Sequence, residues 1–585
     1  MPRRRRCGDY RTHALELKER NHRLALSGIF ALAAFLFFWL AYPYHVYNQE
    51  QFQLFQFSWS YLAETLAVPG GLADWCGRFL TQFFYFSAAG SFILALLLAA
   101  IQLCTAALAK NLSPTGFALT FVPPVLLLLF FCDADAMPCM LVAVLLSLLC
   151  ALAVLCIRPS LLRNVVAVVA TALLYFLLGP LSVLFIVAYL VRERKLLPGL
   201  LMVSAFALSV VCLHKALGYP YYRLLYGINY YRFHHHLPAW PWVAAAAEAL
   251  VLAFSPLFRR EGKAWSGIAA FATVMVLGAI GVFLCRDGEK ENYLKYDFLT
   301  RRFQWKAILA EAGKDNPQKP YEMASVNLAL VKTGNFHRMF EFYQNGTDGL
   351  LPQYANDFMH PLIPSEAYFQ LGMVNTSQRY SFEAQELIPD FQKSARICKR
   401  LAETNLINGN YKVAEKYLKL LEKTLFYRGW ARSKMAMCGN DAAVDADPGY
   451  GYLRSVRLHD QDFLFNRQAM ESMLAYLIQE NPSNHMALEY LLAWDLLDKN
   501  LKGFVNFCPF EAYPGGVPRC YQEAFLLDFT EKTQSLDEVP AFIDPTVLNA
   551  FSNFMREHGS GTPEETLAKS FGKTYWYYYF YRLGT

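Results

Sequence analysis

The chain has 585 residues, 55% of them hydrophobic and 16% aromatic, with a formal net charge of +6. That length exceeds one hydrophobic core, and the composition is too apolar for an ordinary soluble protein. The positive charge gives no argument for a nucleic-acid partner, because the arginines gather at the ends of apolar runs, and the 13 cysteines form no zinc or redox spacing.

The basic start, residues 1–23, leads into an apolar run over 24–42. The run is near full spanning length and no small-residue cleavage site follows, so it reads as a retained membrane helix. Residues 45–82 form an aromatic, amphipathic connection. Phe52, Phe55, Trp59, Leu62 and Leu66 recur at three- and four-residue steps and predict a helix lying on a membrane surface, broken by Pro69-Gly70-Gly71. Further runs cover 83–108, 116–132, 137–157, 165–191, 196–213, 240–257 and 265–285. The run over 165–191 is too long for one upright helix and holds Gly179-Pro180 at its centre, so it is one kinked helix or two folded back. Charge selects the hairpin: only then do Lys110, Arg158, Arg163, Arg192, Arg194, Lys195, Arg259, Arg260 and Lys263 fall on the side of the basic N-terminus. The expectation is about nine spans over 24–285, with the N-terminus cytoplasmic and residues 287–585 outside.

From residue 287 the chain turns polar, with helical stretches of roughly 10 to 15 residues separated by breaks such as Asn408-Gly409-Asn410 and Asn481-Pro482. The stretch LAETNLINGNYKVAEKYLKLLEK, 401–423, resembles a tetratricopeptide repeat: Ala402 fits the small residue of a first helix, and Ala414, Tyr417 and Leu418 fit the second. Weaker echoes stand at Gly334-Asn335-Phe336, at Leu371-Gly372 with Ala384, and over 481–504, at irregular spacing. The end, TYWYYYFYRLGT, has aromatics on every face and is expected to pack on its own domain. The fold class is therefore all-α: a polytopic membrane bundle followed by a helical-hairpin repeat domain.

Candidate chemistry sits at the outer ends of the spans. Glu50 follows the first, and Asp133 and Asp135 close the third; converging carboxylates of this kind hold Mg²⁺ or Mn²⁺ or act as a base. Solvated loop acids are the bland alternative. Glu248 lies inside VAAAAEALVLAF, where an ionisable group normally faces a cavity or a partner, or is a protonated packing residue. Arg223, Arg232 and His234 stand in a tyrosine-rich loop as candidate phosphate ligands or as interface anchors. The pairs Cys132 with Cys139 and Cys508 with Cys520 flank loops on the outer side and are candidate disulfides.

Two resemblances follow from these residues. Residues 42–85 look like the opening of an uncharacterised family of multi-pass proteins from the Bacteroides group of bacteria, a match that extends loosely over the chain and brings no known activity. The order of first span, long amphipathic loop with an early acid, and Asp-x-Asp after the third span is similar to GT-C-type glycosyltransferases. That resemblance implies a polyprenyl-phosphate-linked sugar donor, with Glu50 as catalytic acid-base residue or metal ligand and Asp133 with Asp135 as ligands of a divalent cation. The alternative is a non-catalytic scaffold in the bilayer, whose helical repeats bind an envelope protein. A transporter is a third reading, motivated by Glu248 and the break at Gly179-Pro180.

Overall fold

Apolar runs alternating with polar turns make this chain travel back and forth between two ends. The computed structural model describes residues 3–233, 237–258, 263–353, 358–458, 469–513, 515–536 and 538–582, with side chains from Glu19 onward, Phe391 excepted. Among these residues it is all-helical apart from one isolated antiparallel bridge, Ala136 with Tyr231. The chain divides into two compact units, Met1–Glu291 with Glu422–Arg428, and Asn292–Leu421 with Gly429–Thr585.

In the first unit α1 (Arg3–Leu36) continues through a single π turn into α2 (Pro43–Gln51), whose first residue is a proline, suited to a helix start. Then come α3 (Trp59–Leu66) and α4 (Gly71–Thr81), still within the long first connection. The helix expected over 52–66 is interrupted: Phe52 to Phe57 run without helix between α2 and α3, with Phe52, Leu54 and Phe55 buried and Trp59 85% exposed. Closely spaced aromatics satisfy a helical period and an irregular segment with inward-facing aromatics equally well, and packing chose the second for 52–57. Gly77 lets α4 press on the bundle, since a Cβ there would stand 2.6 Å from the Cys139 backbone.

The remaining segments are α5 (Ser87–Ala109), the pair α6 (Pro114–Leu119) and α7 (Val122–Phe130), α8 (Cys139–Leu155), α9 (Ser160–Leu178), α10 (Val183–Glu193), α11 (Leu196–Leu217), the short α12 (Tyr221–Tyr226), α13 (Trp240–Phe254), α14 (Ala264–Cys285) and α15 (Gly288–Arg301). Their termini meet at two places. At the basic end, Arg23 bonds the Leu112 carbonyl, Ser113 N bonds the Phe258 carbonyl, Arg192 bonds the Leu108 carbonyl, and Arg163 pairs with Glu193 at 2.7 Å. At the loop end, Gly70 N bonds the Phe176 carbonyl, the Tyr230 hydroxyl bonds the Leu178 carbonyl, Met137 N bonds the Tyr230 carbonyl, and Lys290 reaches Asp135. Among the described residues, nine segments (α1, α5, α6–α7, α8, α9, α10, α11, α13 and α14) thus run between the two ends.

Six of the nine are long and apolar enough to cross a membrane; α6–α7 and α8 are shorter apolar stretches. The hairpin at Gly179-Pro180 is present, because the start of α9 and the finish of α10 meet through Arg163 with Glu193 and Asn164 with Tyr189. At 11 residues α10 is about 16 Å long, roughly half of a hydrocarbon core. It lies among protein, with Leu184, Phe185, Ile186, Ala188 and Tyr189 buried, where a partial span is tolerated. By contrast α11 and α14 turn Leu200, Leu208, Val276 and Phe283 outward, as a lipid-facing surface requires.

The second unit is built of helical hairpins. Leu362–Leu371 pairs with Val374–Glu386, Ala395–Ile407 is followed by Tyr411–Glu422, and Met470–Glu480 pairs with His485–Leu497. Ala402, Ala414 and Leu418 are fully buried, while Gly372 and Gly409 take the positive φ of the turns, +88° and +75°. The stretch after Gly334 makes a 3₁₀ turn, Phe336–Glu341, instead of a second helix. The aromatic helix Tyr575–Tyr581 packs within its own unit: Trp576 donates to the Glu523 carbonyl at 2.9 Å, and the Tyr575 and Tyr578 hydroxyls donate to Leu496 and Leu497. Cys132, Cys139, Cys508 and Cys520 are all free thiols.

Candidate functional site

The α2 sequence PYHVYNQEQ is polar, yet His45, Asn48, Gln49, Glu50 and Gln51 are all buried. Burying such groups is unfavourable unless each finds a partner. Some do: His45 Nδ1 lies 2.6 Å from Glu291 Oε1, Gln49 donates to the Ala136 carbonyl at 3.1 Å, and Gln53 just beyond the helix donates to the Arg78 carbonyl. Others do not: His45 Nε2, Asn48 Nδ2 and Gln49 Oε1 are buried without a hydrogen bond among the described residues. A run of unsatisfied polar atoms on one helix marks the place where this end of the bundle departs from a purely structural solution.

Two loops close on α2. The turn after α7 carries Asp133 and Asp135, with the Asp135 amide capped by Asp133 Oδ1 at 3.0 Å. The Ala136–Tyr231 bridge ties this turn to residues 229–232, where the Arg232 amide donates to the Asp135 carbonyl. Arg232 then reaches across: its Nε lies 3.2 Å from Asp135 Oδ1, and its Nη1 donates to the Phe52 carbonyl at 3.1 Å. Lys290, in the first turn of α15, sits 2.8 Å from Asp135 Oδ2 and 3.9 Å from Asp133 Oδ1, between the two acids. Burial works against the Lys290 charge, but Asp135 and Asp133 hold its ammonium above the usual lysine range. Burial and Asp133 raise the Tyr231 phenol, so it keeps its proton and donates to Asp133 Oδ2 at 2.7 Å.

Glu50 has a different set of neighbours. Gln51 Nε2 donates to it, and the Tyr427 hydroxyl bonds both of its oxygens at 3.1 and 3.2 Å. Tyr427 belongs to the segment Glu422–Arg428, which is part of the first unit. Phe57 N bonds the Lys423 carbonyl, and Phe426 stacks on Tyr85 at 5.0 Å, with Phe83 and Phe86 edge-on around it. Glu50 is thereby covered, 3% exposed.

Of the residues singled out by sequence, Glu50, Asp133, Asp135 and Arg232 stand on elements that hydrogen-bond one another at the loop end. Arg223 lies on α12 over the ring of Tyr219, and His234 falls outside the described residues. Glu248 is not in this group: it is bonded to Thr105, four residues from the basic-end terminus of α5. Among the described residues no three or more His, Cys, Asp or Glu side chains form a metal-binding group. Tyr427, Tyr231 and Lys290 went unnoticed in the sequence. Only Lys290 carries a signal there, as a cation directly after the last apolar run on the side that the charge bias disfavours.

The chain belongs to a family of unknown function, DUF6057. The family's model matches residues 20–582, so membership spans both units, the polar mouth and the helical hairpins alike. No curated protein and no solved structure matches the chain.

Proposed function

We propose that the protein is an integral membrane transferase that takes a sugar from a polyprenyl-phosphate carrier and places it on an acceptor at the loop end. The observation that carries this reading is the joining of α2, the Asp133–Asp135 turn and Arg232 into one buried polar cluster, with unsatisfied His45, Asn48 and Gln49 atoms beside Glu50. A long-chain lipid carrier fits such a place, since apolar helices flank the polar cluster. Glu50 accepts the proton of the acceptor as the new bond to the sugar forms, and the carrier phosphate leaves with the electron pair of the broken C–O bond. Charge bias puts the loop end outside the cell and the basic end in the cytoplasm.

A divalent cation on Asp133 and Asp135 does not fit this donor set. Lys290 already stands between the two carboxylates, Arg232 faces the second, and Tyr231 and the Asp135 amide occupy the first. The cluster balances its charge with its own cations. The test is transfer of labelled sugar from a polyprenyl-phosphate donor by the purified full chain, with chelator present. Activity that persists in chelator and vanishes in Glu50→Gln, assayed at a temperature where that variant is still folded, supports the reading; undiminished transfer in Glu50→Gln removes it.

A scaffold function has one observation of its own. The second unit carries an open cleft of about 580 Å³ lined by Asn408, Asp441, Asp445, Arg454 and Arg457 among others. Arg454 is fixed there by Asp441, Asp445 and the Ile407 carbonyl, which makes the cleft a preformed surface for a polar segment of an envelope protein. Substituting Arg457 by Glu with loss of a co-purifying partner, and no effect on sugar transfer, would favour this alternative.

A further inference from the structure

Glu248 is 1% exposed in the middle of α13, and the side chain bonded to it is Thr105 of α5. Thr105 Oγ1 lies 2.7 and 2.9 Å from the two Glu248 oxygens and 2.9 Å from the Ile101 carbonyl oxygen. A hydroxyl has one hydrogen, and three acceptors compete for it. If it goes to Ile101, as hydroxyls on helices often do, the contact with Glu248 is a hydrogen bond only when the carboxyl supplies the hydrogen. If it goes to Glu248, an ionised carboxylate is left with a single neutral donor inside an apolar bundle, a far less favourable state than the neutral acid.

The surroundings offer no compensating charge among the described residues. The helices packed on α13 are α5, α7 and α10. No titratable side chain occurs on α7, and on α5 the only one is Cys104. On α10, Tyr189 is bonded to Asn164, Arg192 to the Leu108 carbonyl, and Glu193 to Arg163. The closest polar network, Ser27 to Gln102 to Thr120, lies one turn along α5 and is neutral. Beyond Gln102 that face of α5 continues with buried Leu98 and Leu94 before Ser91, so no unbroken row of polar side chains on α5 leads from Thr105 to the loop end.

We infer that Glu248 is a proton-binding site inside the membrane unit, holding its proton at neutral pH and donating it to Thr105. The inference is independent of sugar transfer and gives Glu248 a role that placement at the mouth would not. A buried neutral carboxyl in an apolar setting is the target of hydrophobic carbodiimides. The acid O–H adds across one C=N bond of the reagent, its proton going to nitrogen and its oxygen to the central carbon, and the adduct rearranges to a stable N-acylurea.

The experiment treats the full chain in detergent with dicyclohexylcarbodiimide and maps the adduct by peptide mass spectrometry, beside infrared spectra of wild type and Glu248→Gln. The expected result is an adduct on Glu248 at pH 7 that declines as the pH rises, and loss of one protonated-carboxyl C=O band in Glu248→Gln. Thr105→Val, which removes the hydrogen-bond acceptor and keeps the shape, should shift that band, and it serves where the first variant fails to fold. Where the reagent does not enter, the infrared band decides. An unchanged protonated-acid region in both variants overturns the inference.

Discussion

The loop end and the interior of the same helix bundle each bury a carboxylate, and they treat it in opposite ways. Asp135, 4% exposed, is met by Arg232 and Lys290; Glu248, 1% exposed, is met by one hydroxyl. Burial alone therefore does not decide whether an acid is charged. The neighbours do, and they also decide what a mutation will do: removing a cation from a buried pair strands a charge, whereas removing a proton-bearing oxygen from a neutral pair strands no charge.

The largest effect should come from breaking the pair at the mouth. Arg232→Ala leaves Asp135 buried with Lys290 alone, and a loss of about 3–5 kcal/mol of unfolding free energy is expected for an orphaned buried charge. The double variant Arg232→Met with Asp135→Leu should recover most of it, because shape-matched apolar groups replace a buried ion pair without stranding either member. Lys290→Ala should cost less, roughly 1 kcal/mol, since its side chain is 29% exposed and screened. Denaturant unfolding of the full chain in detergent measures all three. A single-variant loss at Arg232 below that of Lys290 would break the comparison.

The second unit holds an acid that resembles Glu248 more than Asp135. Asp495 is fully buried, and burial, with Glu471 and Asp498 adding to it, pushes its carboxyl up to about 8; its nearest donor, Asn500 Nδ2, is 3.4 Å away. The folded state then binds a proton that the unfolded state releases near pH 4. Stability from this group is full below pH 4 and is lost as the pH rises to about 8. Asp495→Asn keeps the shape without the proton, so its unfolding midpoint should stay flat across that window while the wild type falls. Parallel profiles would show that Asp495 is ionised and paired after all.

How much of this could be read beforehand follows the same physics. Apolar run length and the bias of Lys and Arg exposed nine segments and the turn at Gly179-Pro180, because both signals are local and summed over many residues. The run of aromatics at 52–57 misled, since its spacing suits a helix and an irregular segment with inward-facing aromatics alike. The cover over Glu50 was invisible: Tyr427 lies 377 residues away, and nothing in a single aromatic-rich turn says what it will pack on. Lys290 was legible only as an oddly placed cation, its meaning supplied by two acids 155 residues earlier or more.

Glu50 sharpens the comparison within one residue type. It receives N–H from Gln51 and O–H from Tyr427, so it acts as an acceptor. Glu50→Gln turns an amide toward Gln51 Nε2, donor against donor, and about 2 kcal/mol should be lost, the usual cost of a broken hydrogen bond to a charged group. Tyr427→Phe, which deletes only the hydroxyl, should lose about as much or less. Equal stability of both variants and wild type in thermal unfolding would mean that the cover over Glu50 is not closed in solution.

The smallest expected effect is the most discriminating. Glu248→Gln puts an N–H where the protonated carboxyl has its O–H, and the amide can donate to Thr105 Oγ1 while Thr105 donates to Ile101 as before. No charge is created, no acceptor is abandoned, and the volume is unchanged, so the change in unfolding free energy should stay within about 0.5 kcal/mol. Glu50→Gln is the same chemical substitution and should be several times more harmful. If Glu248→Gln instead destabilises by as much as Glu50→Gln, Glu248 is an acceptor like Glu50 and its neutrality is wrong.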